Sequence, residues 1–195
     1  MNVENLPPFT TVWIAGALAL SALEKLEYVS RYQLFYSSHL VFRSGQYWRL
    51  LTSFMYFGPF SGFYLFHLLV TMRYSYMLEM QTYGTSRRAD YAWLLLISSL
   101  ILLGLSSFIS MPFLGDGLSY VLMYIWSRKS RHVRMGLFGL LIFSAPYQPY
   151  VFTAINWALK GFDTEIVHDF AGIMVGQLGT YYVSHSLFLD GRLAK

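Results

Sequence analysis

Tyr91 to Phe113 is a run of 23 residues with no charged side chain. A stretch that long and apolar fits the middle of a large core or the hydrocarbon of a bilayer. Composition decides between them. The chain has 195 residues, of which 55% are hydrophobic and only 12% charged. A soluble domain carries charge on about a quarter of its residues. Apolar surface on this scale cannot all be hidden inside a chain this size, so lipid is part of its solvent. The length suits one domain, residues 1–195, built of several membrane spans.

Five further stretches read as spans: Thr11–Leu26, Pro59–Glu79, Leu114–Trp126, Pro146–Lys160 and Glu165–Phe188. A perpendicular span needs about 20 residues. The first, fourth and fifth of the six in chain order fall short of that. Met135 to Ala145 reads as an interfacial segment, and Pro146 and Pro149 favour a helix start just after it. The expected architecture is an all-α, six-helix membrane protein with a long first loop, about residues 27–58.

Charge sets the orientation. Arg73, Arg87, Arg88, Arg128, Lys129, Arg131, Arg134, Arg192 and Lys195 fall on one side, and Lys25, Arg31, Arg43, Arg49 and Lys160 on the other. The richer set belongs in the cytosol, together with both termini. The N-terminus lacks the basic start, apolar run and small-residue cleavage site of a signal peptide. With no cysteine, disulfides and Cys-based metal sites are excluded. His39, His67, His132, His168 and His185 lack ligand-like spacing, and no Walker-type phosphate loop occurs. No metal or other cofactor is implied, and the modest net charge of +4 does not point to nucleic acid.

In the first loop, "QYWRLLTSFMYF" (residues 46–57) is too polar for a span and too aromatic for an ordinary soluble loop. Trp and Tyr favour the headgroup level, and Arg49 can keep its stem apolar while its guanidinium meets water, phosphates or loop carbonyls. The segment is expected to lie in the leaflet on the far side from the cytosol.

Five stretches in order resemble the derlins: "LPPFTTVW", "GQYWRLLTSFMYFGPFSGFYLF", "MLEMQTYGTSRRADYAWLLL", "VLMYIWSRKSR" and "DFAGIMVGQLGTYY". Derlins are catalytically dead relatives of rhomboid intramembrane proteases and reside in the endoplasmic reticulum. The Trp48–Arg49 pair matches the family's first-loop signature, and Gly172 with Gly176 matches its sixth-span pair. The resemblance implies a rhomboid-like fold and a part in moving misfolded proteins from the lumen to the cytosol for degradation. Many derlins also carry a cytosolic Gly-rich box that recruits the segregase ATPase. This sequence stops at "SHSLFLDGRLAK", so contact with that ATPase is expected to be indirect, through the membrane ubiquitin-ligase complex.

Two other classes remain open: a working rhomboid-type serine protease and a small transporter. A protease needs a serine, a base in hydrogen-bond reach and oxyanion donors. Here "GDGLSYVLMYIW" places Tyr120 where a rhomboid G-x-S-G stretch has its second Gly. Aligned on the "YIW" end, Ser119 lies about one turn from the nucleophile's place, with Gly115 near it. In the sixth span Asp169 replaces the catalytic His, and its neighbour His168 points about 100° away around the helix. Phe63 and His67 fall where rhomboids carry polar helpers. A transporter would show paired broken spans or internal symmetry, and neither is visible. The chain is therefore expected to have no catalytic residues.

His67, Arg73, Glu79, Ser119, Asp169 and Gln177 form the candidate in-membrane polar set. Glu79 is expected to cap or tie a loop, Arg73 to snorkel or pair with Glu79, and Ser119 to bond a nearby carbonyl. Gly172 and Gly176 share one helix face, where small residues allow close packing. Ala at 176 should be partly tolerated and Leu not. The short spans point to a mechanism: local thinning of the bilayer beside a polar lateral opening.

Overall fold

A computed structural model describes residues 7–109, 111–137, 141–160 and 165–193, and the side chains of these except at 63, 137, 141, 159–160, 165–166 and 182–193. It is mostly helical. Helix α1 spans Pro8–Lys25, with Pro8 at its first position, where no N–H is missed. Glu27, at a left-handed φ of 62°, follows its end. Three short helices fill the first loop: α2 (Arg31–Leu34), α3 (Ser38–Phe42) and α4 (Trp48–Met55). A capping box of Ser30 and Gln33 starts α2. Helix α5 (Gly62–Tyr76) starts at Ser61, whose hydroxyl accepts from Tyr64 N–H at 3.1 Å. It runs on as a wider π-helical stretch, Met77–Tyr83.

After α6 (Arg88–Ser106), α7 (Gly115–Lys129), α8 (Gln148–Lys160) and α9 (Glu165–Leu193), each stretch expected to be a span overlaps a helix. Among the described residues, α6 is long and apolar enough to cross a membrane by length and composition. It buries Tyr91, Leu94, Ser98 and Leu102 on one face. On the other it exposes Trp93, Leu96 and Leu100.

Strands β1 (Arg134–Leu137) and β2 (Leu141–Ser144), in and beside the stretch expected to be interfacial, pair antiparallel, with Arg134 opposite Ser144 and Leu137 opposite Leu141, and add a short hairpin to a mostly helical fold. The clearest apolar run ends early: α6 stops at Ser106, and Met111 folds back into the core.

Helix α7 is the axis of the molecule. Every residue from Gly117 to Ser127 is buried, as expected of a helix surrounded on all sides. The first loop closes one end of the bundle, where Leu114 N–H donates to Ser53 O and Tyr36 N–H to Pro112 O, at 2.9 and 2.8 Å. Gly115 is required there, because a Cβ would lie 2.7 Å from Phe54 O. At the opposite end Lys129 sits over the Tyr83 ring at 5.5 Å, within the reach of about 6 Å for such contacts.

Candidate functional site

The Trp48–Arg49 pair divides between two environments. One residue along a helix turns the side chain by about 100°, so Trp48 is exposed while Arg49 is buried. Arg49 Nη1 donates to the carbonyls of Tyr32 and Phe35, both at 2.9 Å, and Nε donates to Gln46 Oε1 at 2.6 Å. Its guanidinium also lies over the Phe35 ring at 5.0 Å. Burial pushes its pKa below the ordinary value, while the three acceptors offset the cost of burying the charge. The guanidinium meets loop carbonyls, one of the three surroundings expected of it.

Glu79 is wholly buried and serves the other end of the bundle. Its carboxylate accepts from Thr10 N–H (2.9 Å), Phe9 N–H (3.2 Å) and the Thr10 hydroxyl (2.8 Å). These are orphan donors in the first turn of α1, where no capping side chain of its own is present. Thr10 and Ser75 hydroxyls bond at 2.6 Å, and Ser75 bonds Tyr91 at 2.8 Å, so one network joins α1, α5 and α6. Arg73 is exposed, and the acceptors of Glu79 are committed to α1, so the expected alternative of an Arg73–Glu79 pair is not formed.

The remaining polar residues gather between α5, α7, α8 and α9. His67 Nε2 lies 3.3 Å from Asp116 Oδ1. Ser119 accepts from Thr71 Oγ1 and donates to Gly115 O, both at 2.9 Å. Asn156 Nδ2 donates to the Tyr120 hydroxyl at 2.9 Å and to Asp169 Oδ2 at 3.2 Å. Of the sequence-derived set, His67, Ser119 and Asp169 thus meet in one region. Gln177 is exposed, and Arg73 and Glu79 lie elsewhere. The Phe63 side chain lies outside those described. Asn156, Tyr120, Thr71 and Asp116 were not anticipated as partners. The signal for Asn156 was available, since an amide inside a short apolar span needs a partner.

A cleft between α5, α7 and α8 exposes this cluster. His67, Ser119, Tyr120 and Asn156 line it, with Phe66 and Phe152. It encloses about 350 Å³, counting the space at its open side, but only about 20 Å³ admits the centre of a water molecule. That is room for one or two waters. The Phe66 and Phe152 rings stack across α5 and α8, with centroids 6.1 Å apart and planes 6° apart. Further along the same seam Gln148 Nε2 donates to the Tyr74 hydroxyl.

A model of the Der1-like family matches residues 6–191. The chain belongs to the derlin family. It is 28% identical to a probable derlin-2 homolog of Dictyostelium discoideum over 98% of this chain and 77% of that one. It is 29% identical to derlin-2.1 of Arabidopsis thaliana over 92% of this chain and 75% of that one. An uncharacterised derlin-like protein of Schizosaccharomyces pombe is 31% identical over 82% of this chain and 83% of its own length.

The derlin glycine pair lies against α7. A Cβ on Gly172 would stand 2.5 Å from Gly117 O and 2.6 Å from Tyr120 Cβ, and one on Gly176 would stand 2.8 Å from Tyr124 Cβ. Both neighbours are backbone or Cβ atoms that cannot swing aside, so even Ala at 176 forces α7 and α9 apart. That is stricter than the partial tolerance expected from sequence. Ser119 is bonded to Thr71 and Gly115, and the buried His168 Nε2 has no hydrogen-bond partner among the described residues.

Proposed function

We propose that this derlin is a non-catalytic component of endoplasmic-reticulum-associated degradation, a six-span protein of that membrane with both termini in the cytosol. It aids retrotranslocation of misfolded lumenal or membrane proteins by thinning the bilayer and offering the cleft between α5 and α8 as a polar lateral opening. The observation that carries this reading is the cleft itself, where four polar side chains line a seam closed by two stacked rings. Exposed apolar side chains on α1 (Val12, Leu18), α5 (Leu65, Leu69), α6 (Leu96, Leu100) and α9 (Phe170, Met174) suit a lipid surround.

Helix length supports thinning. Helix α8, which exposes Tyr150 and Trp157, has 13 residues and spans about 20 Å at about 1.5 Å per residue. The hydrocarbon core is about 30 Å thick. A polar polypeptide crosses a thinned, partly wetted path at lower cost than intact lipid. The occupied hydroxyl of Ser119 and the tied carboxylate of Asp169 favour this reading over a protease. The partners in this reading are the substrate, the membrane ubiquitin-ligase complex and the segregase ATPase.

Reporter half-life tests the proposal. Cells carrying Phe66→Trp together with Phe152→Trp, a bulkier seam, should retain a misfolded lumenal reporter while holding normal levels of this protein. Unchanged reporter decay would count against the cleft as the route.

A further inference from the structure

The chemistry of the cleft wall carries a statement about what it holds. Asn156 spends its Nδ2 donors on the Tyr120 hydroxyl and Asp169 Oδ2, at 2.9 and 3.2 Å. An amide group is planar, with its oxygen directed away from its NH2. With the NH2 turned toward the carboxylate, the Asn156 carbonyl oxygen is the end left for the cleft. Asp169 is buried behind it, and Asp116 lies 3.3 Å from His67, on the α5 side. The Ser119 hydroxyl already donates its hydrogen bond to Gly115 O. The lining contains no lysine or arginine among the described residues. One wall therefore presents an acceptor, and two carboxylates stand behind the site.

Such a site in a low-dielectric surround favours a cation that donates hydrogen bonds and disfavours an anion. The rest of the lining is apolar: Phe66, Val70, Met123 and Phe152. That combination fits the side chain of Lys or Arg, whose methylenes need apolar contact and whose head needs acceptors.

We infer that the α5–α7–α8 cleft is a subsite for a basic side chain carried by a membrane-embedded polypeptide segment, held by Asn156 with Asp169 and Asp116 behind it. The inference rests on the lateral-opening reading and adds charge selection to it. The cleft has room for one or two waters, so the Phe66–Phe152 seam must part to admit the side chain. Asn156 and Asp169 act on the same ion, Asn156 by contact and Asp169 through Asn156.

Site-specific photo-crosslinking separates the two claims. A photoreactive residue replaces Phe152 in the full-length protein in native microsomes. Three single-span reporters, identical except for Lys, Glu or Leu at mid-membrane depth, are offered in turn. The wild-type cleft should capture the Lys reporter at least about fivefold more than the Glu reporter, with Leu between, given the size of charge interactions in partly buried sites. Asp169→Asn and Asn156→Leu, compared at equal protein level, should each bring the Lys yield down to the Leu yield. Equal capture of all three reporters by the wild-type cleft overturns charge selection while leaving the lateral opening standing. Capture of none overturns both. The wild-type comparison needs no folded variant, so a collapse of either mutant does not decide the matter.

Discussion

Arg49 and Trp48 are adjacent in sequence and opposite in role. Arg49 holds the first loop to itself through two carbonyls and Gln46, so Arg49→Ala leaves the carbonyls of Tyr32 and Phe35 without that donor. A loss of about 2 to 3 kcal/mol follows from breaking charge-assisted bonds of this kind. Arg49→Lys recovers only part of it, because an ammonium cannot reproduce the guanidinium fork. Trp48→Ala removes an exposed ring and should leave stability within about 0.5 kcal/mol. Thermal unfolding of the purified variants in nanodiscs checks the order: wild type and Trp48→Ala together, then Arg49→Lys, then Arg49→Ala. Equal melting of the two Ala variants would reject the division of labour. The sequence showed that these two residues belong at an interface. It could not show which carbonyls Arg49 meets, since Tyr32 and Phe35 lie 17 and 14 positions away.

Among the elements, α7 and α9 form the tightest pair. Gly172 faces Gly117 O and Gly176 faces Tyr124, whereas Gln177 is exposed. Gly172→Ala should therefore shorten the life of the protein more than Gly176→Ala, and Gln177→Ala should be silent. Pulse–chase of the three variants checks this, and a strong effect of Gln177→Ala would point instead to a polar contact on α9. At the N-terminus of α1, Glu79→Gln keeps the shape of the cap but loses its charge and turns a donor toward first-turn N–H groups. A melting temperature lower by several degrees is expected, with Glu79→Leu lower still; no change in either would remove the cap from the account. The helices were legible because apolar runs announce them, and the glycine pair because spacing puts it on one face. The β1–β2 hairpin was not, since four-residue strands leave too short a pattern to separate from an interfacial turn. The π-helical stretch that carries Glu79 also has no sequence signature, and contacts with α1 and α6 arise only on folding.

At the scale of the molecule, the basic side chains Arg87, Arg128, Lys129, Arg131 and Arg134 belong to the end of the bundle opposite the first loop. Positive charge on that side predicts a cytosolic hairpin and a lumenal first loop. A glycosylation acceptor introduced at the exposed turn of residues 43–46 should be modified, and one introduced in the turn before β1 should not; the reverse would invert the topology. The central claim is that misfolded chains pass the α5–α8 seam. The chain has no cysteine, so Phe66→Cys with Phe152→Cys adds the sole pair of thiols. The two replaced rings stack 6.1 Å apart, within reach of a short bis-maleimide. Crosslinking that pair in microsomes and following export of a misfolded lumenal reporter tests the claim most directly. Export should stop in the crosslinked double variant and continue in each single variant given the same reagent. Export at the uncrosslinked rate from a fully crosslinked population would contradict the account.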